Sequence, residues 1–261
     1  MIAFTKHNLR FRRPEEDSFD YDLNGKKIIV AVADGITRDS VNGKYPNPSP
    51  AKIAADLFVK SFISEAKRKN SIEKSIKNSN NKIAKLNSSL KVDYLANDYW
   101  ACVGVGGVIT NSKLEYGFIA DCGVCVFSEN GKLKFRTPNE GPNSRGSIDE
   151  DIRKKYKTSF TEEKGRKIIR SKYRNNIDEK LSYGAFTGEK SALGFLRTGD
   201  FDLSKGDYIV FYSDGFIPII YSKEFNIAKE FNKLEDFFDS KLDKIDGSEG
   251  TIVALRAGKK L

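Results

Sequence analysis

The 261-residue sequence predicts an α+β fold in which mainly antiparallel sheets form layers flanked by helices. Three observations point to this class. Segments rich in β-forming residues occur near both ends and in the middle of the chain, and two amphipathic helical segments follow one another between them. Short turns join consecutive strands, which favours antiparallel pairing over a parallel sheet.

The N-terminal region predicts three strands, at residues 1–5, 18–23 and 27–33. Asn24-Gly25 lies between the second and the third of these segments. Because Asn-Gly between alternating segments is a strong signal for a hairpin turn, these two strands are expected to pair with each other.

Two amphipathic helices are expected next. Ser49 is predicted as the N-cap of the first helix, with Pro50 at its first position. The second helix is predicted to be capped by Asn70, with Glu73 three residues later. Apolar residues recur in both segments with a period near 3.6, so each helix is expected to pack one face on a sheet.

The chain then returns to β structure. Residues 99–135 predict several strands joined by short turns, and residues 208–212 and 251–256 predict two more, with a helix around residues 225–238. Residues 143–190 are polar and helical in part, and we interpret them as a surface excursion.

The composition predicts a soluble, cytoplasmic protein. The chain is 39% hydrophobic and 31% charged with a mean hydropathy of −0.50, values that exclude a disordered chain and an integral membrane protein. The N-terminal segment lacks the features of a signal peptide. The three cysteines do not form a disulfide framework.

The formal net charge of +9 makes an anionic partner worth testing. The excess lies in residues 60–91, with a net charge of +7, and in residues 143–190, with +5, while the remainder is slightly acidic. The first stretch is interpreted as the solvated face of helices. No nucleic-acid partner and no membrane partner are therefore expected, and nucleic-acid binding stays a third, weaker hypothesis.

Acidic residues stand at the ends of predicted strands, beside glycine or in tight turns: Glu16-Asp17, Asp34-Gly35, Asp121 and Asp214-Gly215. Each alone is ordinary turn chemistry. As an ordered set they offer the hard oxygen ligands that Mg²⁺ and Mn²⁺ prefer. Two such ions can activate water for attack on phosphorus without a histidine, and this chain contains only one histidine.

These motifs resemble those of the metal-dependent protein phosphatases of the 2C type. The ordered matches are Arg12 with Glu16-Asp17-Ser18, then VAVADG, FIADCG, VFYSDG and EGTIVAL. The resemblance spans residues 1–257 and implies one phosphatase domain over residues 1–261, folded as an α-β-β-α sandwich. The resemblance implies that residues 143–190 are a variable, basic, flap-like insertion within this domain. It also implies hydrolysis of phosphomonoesters, above all phosphoserine and phosphothreonine in proteins, by a water that bridges two Mg²⁺ or Mn²⁺ ions.

The resemblance assigns roles to individual acidic residues. Asp34 matches the carboxylate that bridges both metals, and the Gly35 carbonyl matches a further ligand. Glu16 resembles the ligand to one ion and Asp214 a ligand to the other. Asp17 resembles the neighbouring carboxylate that binds through water.

Two further positions match, and the final motif departs from the family. Arg12 matches the arginine that holds the substrate phosphate, and Asp121 the position that helps hold a third, weaker metal in many members. Ser248 stands where the family has its final metal-binding Asp. Glu249 or Asp246 could reach the ion instead, and the sequence leaves this choice open.

The first turn departs as well, because Ile36-Thr37-Arg38 follows Asp34-Gly35 where the family has two glycines nearby. These departures motivate an alternative hypothesis: a catalytically weak or inactive binding module of the same fold that recognises a phosphorylated partner without metal-dependent turnover.

Three features suggest other chemistry, and we interpret each as structural. Cys122 and Cys125 form a C-x-x-C, but residues three apart on a strand point to opposite faces and no second pair exists to complete a zinc site. The glycine cluster at residues 104–107 is followed by more β-rich sequence instead of a helix, which excludes a dinucleotide fingerprint. His7 is expected at a strand edge or on the surface.

Overall fold

Two five-stranded antiparallel sheets form the centre of the protein. The computed structural model describes residues 1–8, 14–24, 26–36, 46–245 and 249–258, and the strands and helices named here lie in those ranges. Sheet A has the strand order β1-β10-β9-β6-β7, with bounds Ile2–His7, Glu249–Arg256, Tyr208–Tyr212, Gly123–Phe127 and Leu133–Arg136. Sheet B has the order β2-β3-β4-β5-β8, with bounds Ser18–Asp22, Lys27–Gly35, Cys102–Thr110, Lys113–Ile119 and Arg197–Asp202.

Helices cover the outer face of each sheet. Their bounds are α1 (Pro50–Lys67), α2 (Ile72–Asn87), α3 (Ile148–Tyr156), α4 (Glu163–Ile168), α5 (Ile217–Ile220), α6 (Ile227–Glu230) and α7 (Leu234–Asp239). The first two pack on sheet B, and α5 to α7 pack on sheet A. The inner faces of the two sheets share one buried cluster. The predicted α-β-β-α sandwich is confirmed. No helix in the described ranges has the length and apolar character that a bilayer crossing requires.

The predicted start of the first helix is confirmed. Ser49 Oγ accepts a hydrogen bond from the backbone N–H of Lys52 at 3.1 Å, and Pro50 is the first residue of α1. The predicted cap of the second helix is wrong by one residue. Ser71 accepts the bond from the N–H of Lys74, because the Asn70 amide donates instead to the buried carboxylate of Glu65.

Other boundaries differ from the prediction as well. Strand β1 extends to His7, and β3 extends through Asp34 to Gly35, so this pair belongs to the strand instead of following it. The last strand begins at Glu249, because this residue pairs with His7 of β1. The helix expected around residues 225–238 is two short helices, α6 and α7, the first capped by the Asn226 side chain. Strand β8 was not predicted. It is a polar edge strand whose residues alternate between half-buried and exposed, so its apolar signal is weak.

The glycine cluster at residues 104–107 lies inside β4, as the sequence analysis expected. A Cβ at Gly106 would overlap the ring of Phe62 from α1, and Gly104 lies against the same helix. A Cβ at Gly107 would overlap the ring of Phe211 from the other sheet. The absent side chains let α1 and sheet A approach β4 from both sides.

The connection between β7 and β8 contains the basic segment 143–190. It has a small buried core of its own, formed by Ile148, Ile152, Tyr173 and Tyr183. Several contacts fix it to the rest of the protein, including an ion pair and a ring contact. The Arg174 guanidinium donates two hydrogen bonds to the buried carboxylate of Asp98, at 2.6 and 3.0 Å, and the ring of Phe186 stacks on Phe58 of α1 at 4.7 Å. The flap interpretation of residues 143–190 stays a prediction.

We expect Gly106→Ala to lower the free energy of unfolding by about 1–3 kcal/mol, because the added methyl group would overlap a ring with no free space around it. Phe62 is 0% exposed and cannot move into solvent. Urea denaturation measures the change, and the double variant Gly106→Ala/Phe62→Leu should recover part of the loss.

Gly194→Ala is the matched control. Its nearest neighbour is the side chain of Ile177, which is 68% exposed and free to rotate away. We expect this variant to change stability by less than about 0.5 kcal/mol. Equal losses at both positions would show that close packing on β4 is not the cause.

Candidate metal centre

The strand order brings the acidic ends of both sheets to one side of the sandwich. In sheet A, antiparallel pairing places the end of β9 beside the start of β10. In sheet B, the end of β3 lies beside the start of β2. Asp121 lies in the turn that joins β5 of sheet B to β6 of sheet A. We call this edge the acidic rim; its members are Glu16, Asp17, Asp34, Asp121, Asp214 and Glu249.

Asp34 is the electrostatic centre of the acidic rim. Burial raises the pKa of Asp34 well above its usual value, and the negative charges of Asp214, Asp17, Asp121 and Glu249 raise it further. The charges that act most strongly on Asp34 are therefore carboxylates contributed by both sheets. The structure brings these predicted residues within electrostatic range of one another.

Asp17 is held in place by hydroxyl groups from the opposite sheet. Ser213 Oγ donates to Asp17 Oδ2 at 2.6 Å and accepts from the backbone N–H of Thr251 at 2.8 Å. Burial and the charge of Glu249 raise the pKa of Asp17, and the hydrogen bonds from Ser213 and Thr251 oppose that shift. The sequence analysis missed the role of Ser213. Its position directly before Asp214 was the available signal.

Glu16 lies at the N-terminus of α1. The hydroxyl of Ser49 donates to Glu16 Oε1 and at the same time accepts the capping bond from Lys52 N. Glu16 is only 3% exposed, and the positive end of the helix favours a negative charge at this place. Glu16 is not among the four charges that act most strongly on Asp34. Its assignment as a metal ligand stays a prediction.

Two glycines allow the segments of the acidic rim to pack closely. A Cβ at Gly35 would lie 2.7 Å from the backbone carbon of Ala51 and 2.8 Å from the carbonyl oxygen of Glu16. A Cβ at Gly215 would overlap the carbonyl oxygen of Glu249. A side chain at either position would force the rim segments apart, so close packing of the backbone explains why glycine follows Asp34 and Asp214.

Asp121 borders the chain that leads into the basic segment. The backbone N–H of Glu140 donates to the carbonyl of Ala120 at 2.9 Å, and a Cβ at Gly141 would overlap Asp121 Oδ2. This packing places residue 141 directly against the acidic rim.

Glu249 touches the Glu16-Asp17 turn through hydrogen bonds. Its Oε1 accepts from the backbone N–H groups of Glu16, at 2.7 Å, and Asp17, at 3.1 Å. Burial raises the pKa of Glu249 to about 7, while these two hydrogen bonds oppose the shift. Its assignment as a metal ligand stays a prediction.

The residues of the acidic rim suit a divalent cation by their chemistry. Their donors are hard carboxylate oxygens, and the pKa values of Asp17 and Asp34 are raised by burial and by neighbouring negative charge, which a cation would offset. Within the described ranges, however, no three His, Cys, Asp or Glu side chains already form a metal-binding group. The acidic rim therefore brings suitable oxygen donors near one another, but within the described residues they are not yet arranged to coordinate a metal ion.

The thiols near the rim are structural, as the sequence analysis expected. All three cysteines are free and buried. Burial raises the pKa of Cys102 and Cys122, and the charge of Asp34 adds to both shifts. Cys122 packs in the core between the sheets and Cys125 in the core under the helices of sheet A, so the C-x-x-C residues face opposite sides.

Several predicted positions lie outside the described residues. They are Arg12, Thr37, Arg38, Asp246 and Ser248, so their roles stay predictions. His7 lies at the end of β1, half-buried, with its Nε2 3.6 Å from a carboxylate oxygen of Glu15 and 3.8 Å from Glu249 Oε2. This agrees with the strand-edge position expected for it.

We expect the metal-free protein to lose stability between about pH 4.5 and 7. A carboxyl whose pKa is raised on folding binds its proton more strongly when folded, so its stabilising contribution is complete at low pH and disappears as the pH rises through the folded pKa. For Glu249 that pKa rises from 4.5 to about 7. The melting temperature in EDTA should fall by roughly 5 °C across this window.

Glu249→Gln should flatten this slope, because glutamine does not titrate. The carboxyls of Glu65 and Asp22 have lowered pKa values and lose their stabilising effect only below about pH 4.5, outside the window. A melting temperature that rises from pH 4.5 to 7 would contradict the electrostatic description of the rim.

Solved structures share this architecture at low sequence identity. The Mycobacterium tuberculosis serine/threonine phosphatase PstP/Ppp matches with a TM-score of 0.60 and 13% identity, over 98% of this chain and 97% of that chain. The S. agalactiae serine/threonine phosphatase matches with a TM-score of 0.59 and 15% identity, over 98% of each chain. RsbX in complex with magnesium matches with a TM-score of 0.55 and 13% identity, over 98% of this chain and 94% of that chain.

No family model and no curated protein matches the sequence. The structural likeness therefore shows the fold, and it agrees with the five ordered motifs that the sequence analysis compared with the 2C type. The chain has the fold of the bacterial serine/threonine phosphatases of the 2C type.

Proposed function

We propose that this protein hydrolyses phosphomonoesters in a metal-dependent reaction, with phosphoserine and phosphothreonine residues of proteins as its substrates. The observation that carries the proposal is the convergence of Asp17, Asp34, Asp121 and Asp214 on one rim, where Asp34 is surrounded by negative charge. The fold supports it, because similar structures are serine/threonine phosphatases and one contains two manganese ions.

The acidic rim would hold two Mn²⁺ or Mg²⁺ ions, with a third at Asp121. In the proposal Asp34 would serve both main ions and the Gly35 carbonyl would be a further ligand, while Glu16 would serve one ion and Asp214 the other. Bound divalent ions lower the pKa of water and neutralise phosphoryl oxygens. Asp17 would orient water, and the Ser213 hydroxyl keeps its carboxylate facing the rim.

Substrate binding involves positions beside the rim. Arg12 is proposed to bind the phosphoryl group through two parallel N–H donors. The basic segment 143–190 is proposed to contact the protein substrate, and the packing of Gly141 against Asp121, just before this segment, supports the proposal. An excess of lysine and arginine there favours acidic phosphoproteins. The cytoplasmic location and the absence of nucleic-acid partners stay predictions.

The alternative is a weak or inactive binding module. One observation favours it: one oxygen of Glu249, a candidate replacement for the missing final Asp, already accepts two backbone hydrogen bonds. Such a module would bind a phosphorylated partner without turning it over.

We expect Mn²⁺-dependent release of phosphate from p-nitrophenyl phosphate and from a phosphoserine peptide, and Asp34→Asn should lower kcat/KM for both by at least about 100-fold. The reason is that asparagine removes the negative charge at the centre of the rim. Activity that persists in Asp34→Asn or in excess EDTA would contradict the mechanism.

Asp207→Asn is the matched control for that experiment. Asp207 is a buried carboxylate, 2% exposed, that precedes β9, whereas Asp214 follows it. It accepts a bond from Lys134 at 2.6 Å at the opposite end of sheet A. Its loss should affect stability but not turnover.

Calorimetry with Mn²⁺ distinguishes the proposed enzyme from the alternative binding module. The proposed enzyme binds Mn²⁺ at or below millimolar concentration, and Asp34→Asn weakens that binding. Absence of binding at millimolar Mn²⁺, together with retained binding of a phosphopeptide, would instead support the module.

A further inference from the structure

Glu249 makes contacts that a simple metal ligand would not need. Its Oε1 accepts hydrogen bonds from two consecutive backbone N–H groups, those of Glu16 and Asp17. Glu249 belongs to β10 of sheet A, and the Glu16-Asp17 turn leads into β2 of sheet B. One carboxylate oxygen therefore ties the two sheets together at the acidic rim.

The second oxygen of Glu249 lies beside β1. Glu249 Oε2 is buried, makes no hydrogen bond within the described residues and is 3.8 Å from His7 Nε2. His7 is opposite Glu249 on β1, whereas Asp214 follows β9, which is the other neighbour of β10. Glu249 Oε2 is thus close to the neighbouring strand that does not lead to Asp214.

The hydrogen bonds to Glu249 Oε1 hold the same turn that the Asp17 side-chain contacts hold. Ser213 fixes the carboxylate of Asp17, while Glu249 fixes its backbone N–H. A backbone bond and a side-chain bond from different strands leave the turn little freedom. Buried N–H groups that lose their acceptor are costly, so removing Glu249 should release the turn.

We infer that Glu249 is a positioning residue: through Oε1 it fixes the Glu16-Asp17 turn on the acidic rim, and it does not serve the metals as a charged ligand. This inference rests on the proposed function for its link to metal binding. It gives a role to Glu249, which follows Ser248 in the final motif that departs from the family, because its side chain reaches across to the other sheet.

Two variants separate positioning from ligation. Glu249→Gln keeps an oxygen acceptor at the same length and removes the charge, whereas Glu249→Ala removes the acceptor. If Glu249 positions the turn, Glu249→Ala should weaken Mn²⁺ binding in calorimetry by about tenfold or more, as typical for partners that orient ligands. Glu249→Gln should restore the affinity to within about threefold of the wild type, since a neutral acceptor serves two N–H donors as well. Equal weakening in both variants would show that the charge binds the metal and would overturn the inference.

A metal-free measurement makes the test independent of the proposed function. Amide hydrogen exchange in EDTA should show that the N–H groups of Glu16 and Asp17 lose protection in Glu249→Ala and keep it in Glu249→Gln. Unchanged protection in Glu249→Ala would overturn the inference. If the wild type neither binds Mn²⁺ nor releases phosphate, the proposed function fails, and the exchange result still decides whether Glu249 holds the turn.

Asp207→Ala controls for general loss of stability. Asp207 also accepts a backbone hydrogen bond, from Ser204 N at 2.8 Å, but at the other end of β9, about 17 Å away along a five-residue strand. It should lower the melting temperature without changing Mn²⁺ affinity or the exchange of Glu16 and Asp17. A similar loss of Mn²⁺ affinity in this variant would mean that the Glu249→Ala effect is only structural.

Discussion

Repulsion among carboxylates at one edge of the sandwich is the constraint on which the surrounding structure depends. Asp34 is buried among acidic groups that all disfavour its charged form. In the absence of a cation this arrangement costs free energy, and the fold must hold the groups together against it. Polar contacts and close backbone packing around the rim do this, and they come from elements far apart in the sequence.

Each acidic segment is held in place by a different kind of contact. Ser213 and Thr251 hold Asp17, Ser49 holds Glu16 at the first turn of α1, and Gly35 and Gly215 let the strand ends pack against neighbouring backbone. These contacts leave the carboxylates half-buried or buried at one edge of the sandwich. Carboxylate oxygens held by several such contacts are suited to binding divalent cations.

The sequence predicted the layers and the approximate strand positions well, because apolar alternation and turn residues act locally. It also predicted that carboxylates stand at strand ends, since the end of a strand is a local property and the resemblance supplied their order, while their roles as metal ligands stay predictions. It missed β8, which is a polar edge strand, and it misplaced the cap of α2, where Asn70 bonds to Glu65. Ser213 and Glu249 make their contacts across the two facing sheets. No local sequence pattern predicts how close these residues, which are far apart in the chain, come to the Glu16-Asp17 segment.

The glycines of β4 have a consequence for how sheet B becomes ordered. Glycine loses more conformational entropy on folding than any other residue and has low intrinsic preference for strands. Gly104 and Gly106 therefore give this central strand little tendency to form alone. Both glycines become closely packed only when α1 lies against them. Strand pairing at the centre of sheet B and docking of the helix are thus coupled into one cooperative event.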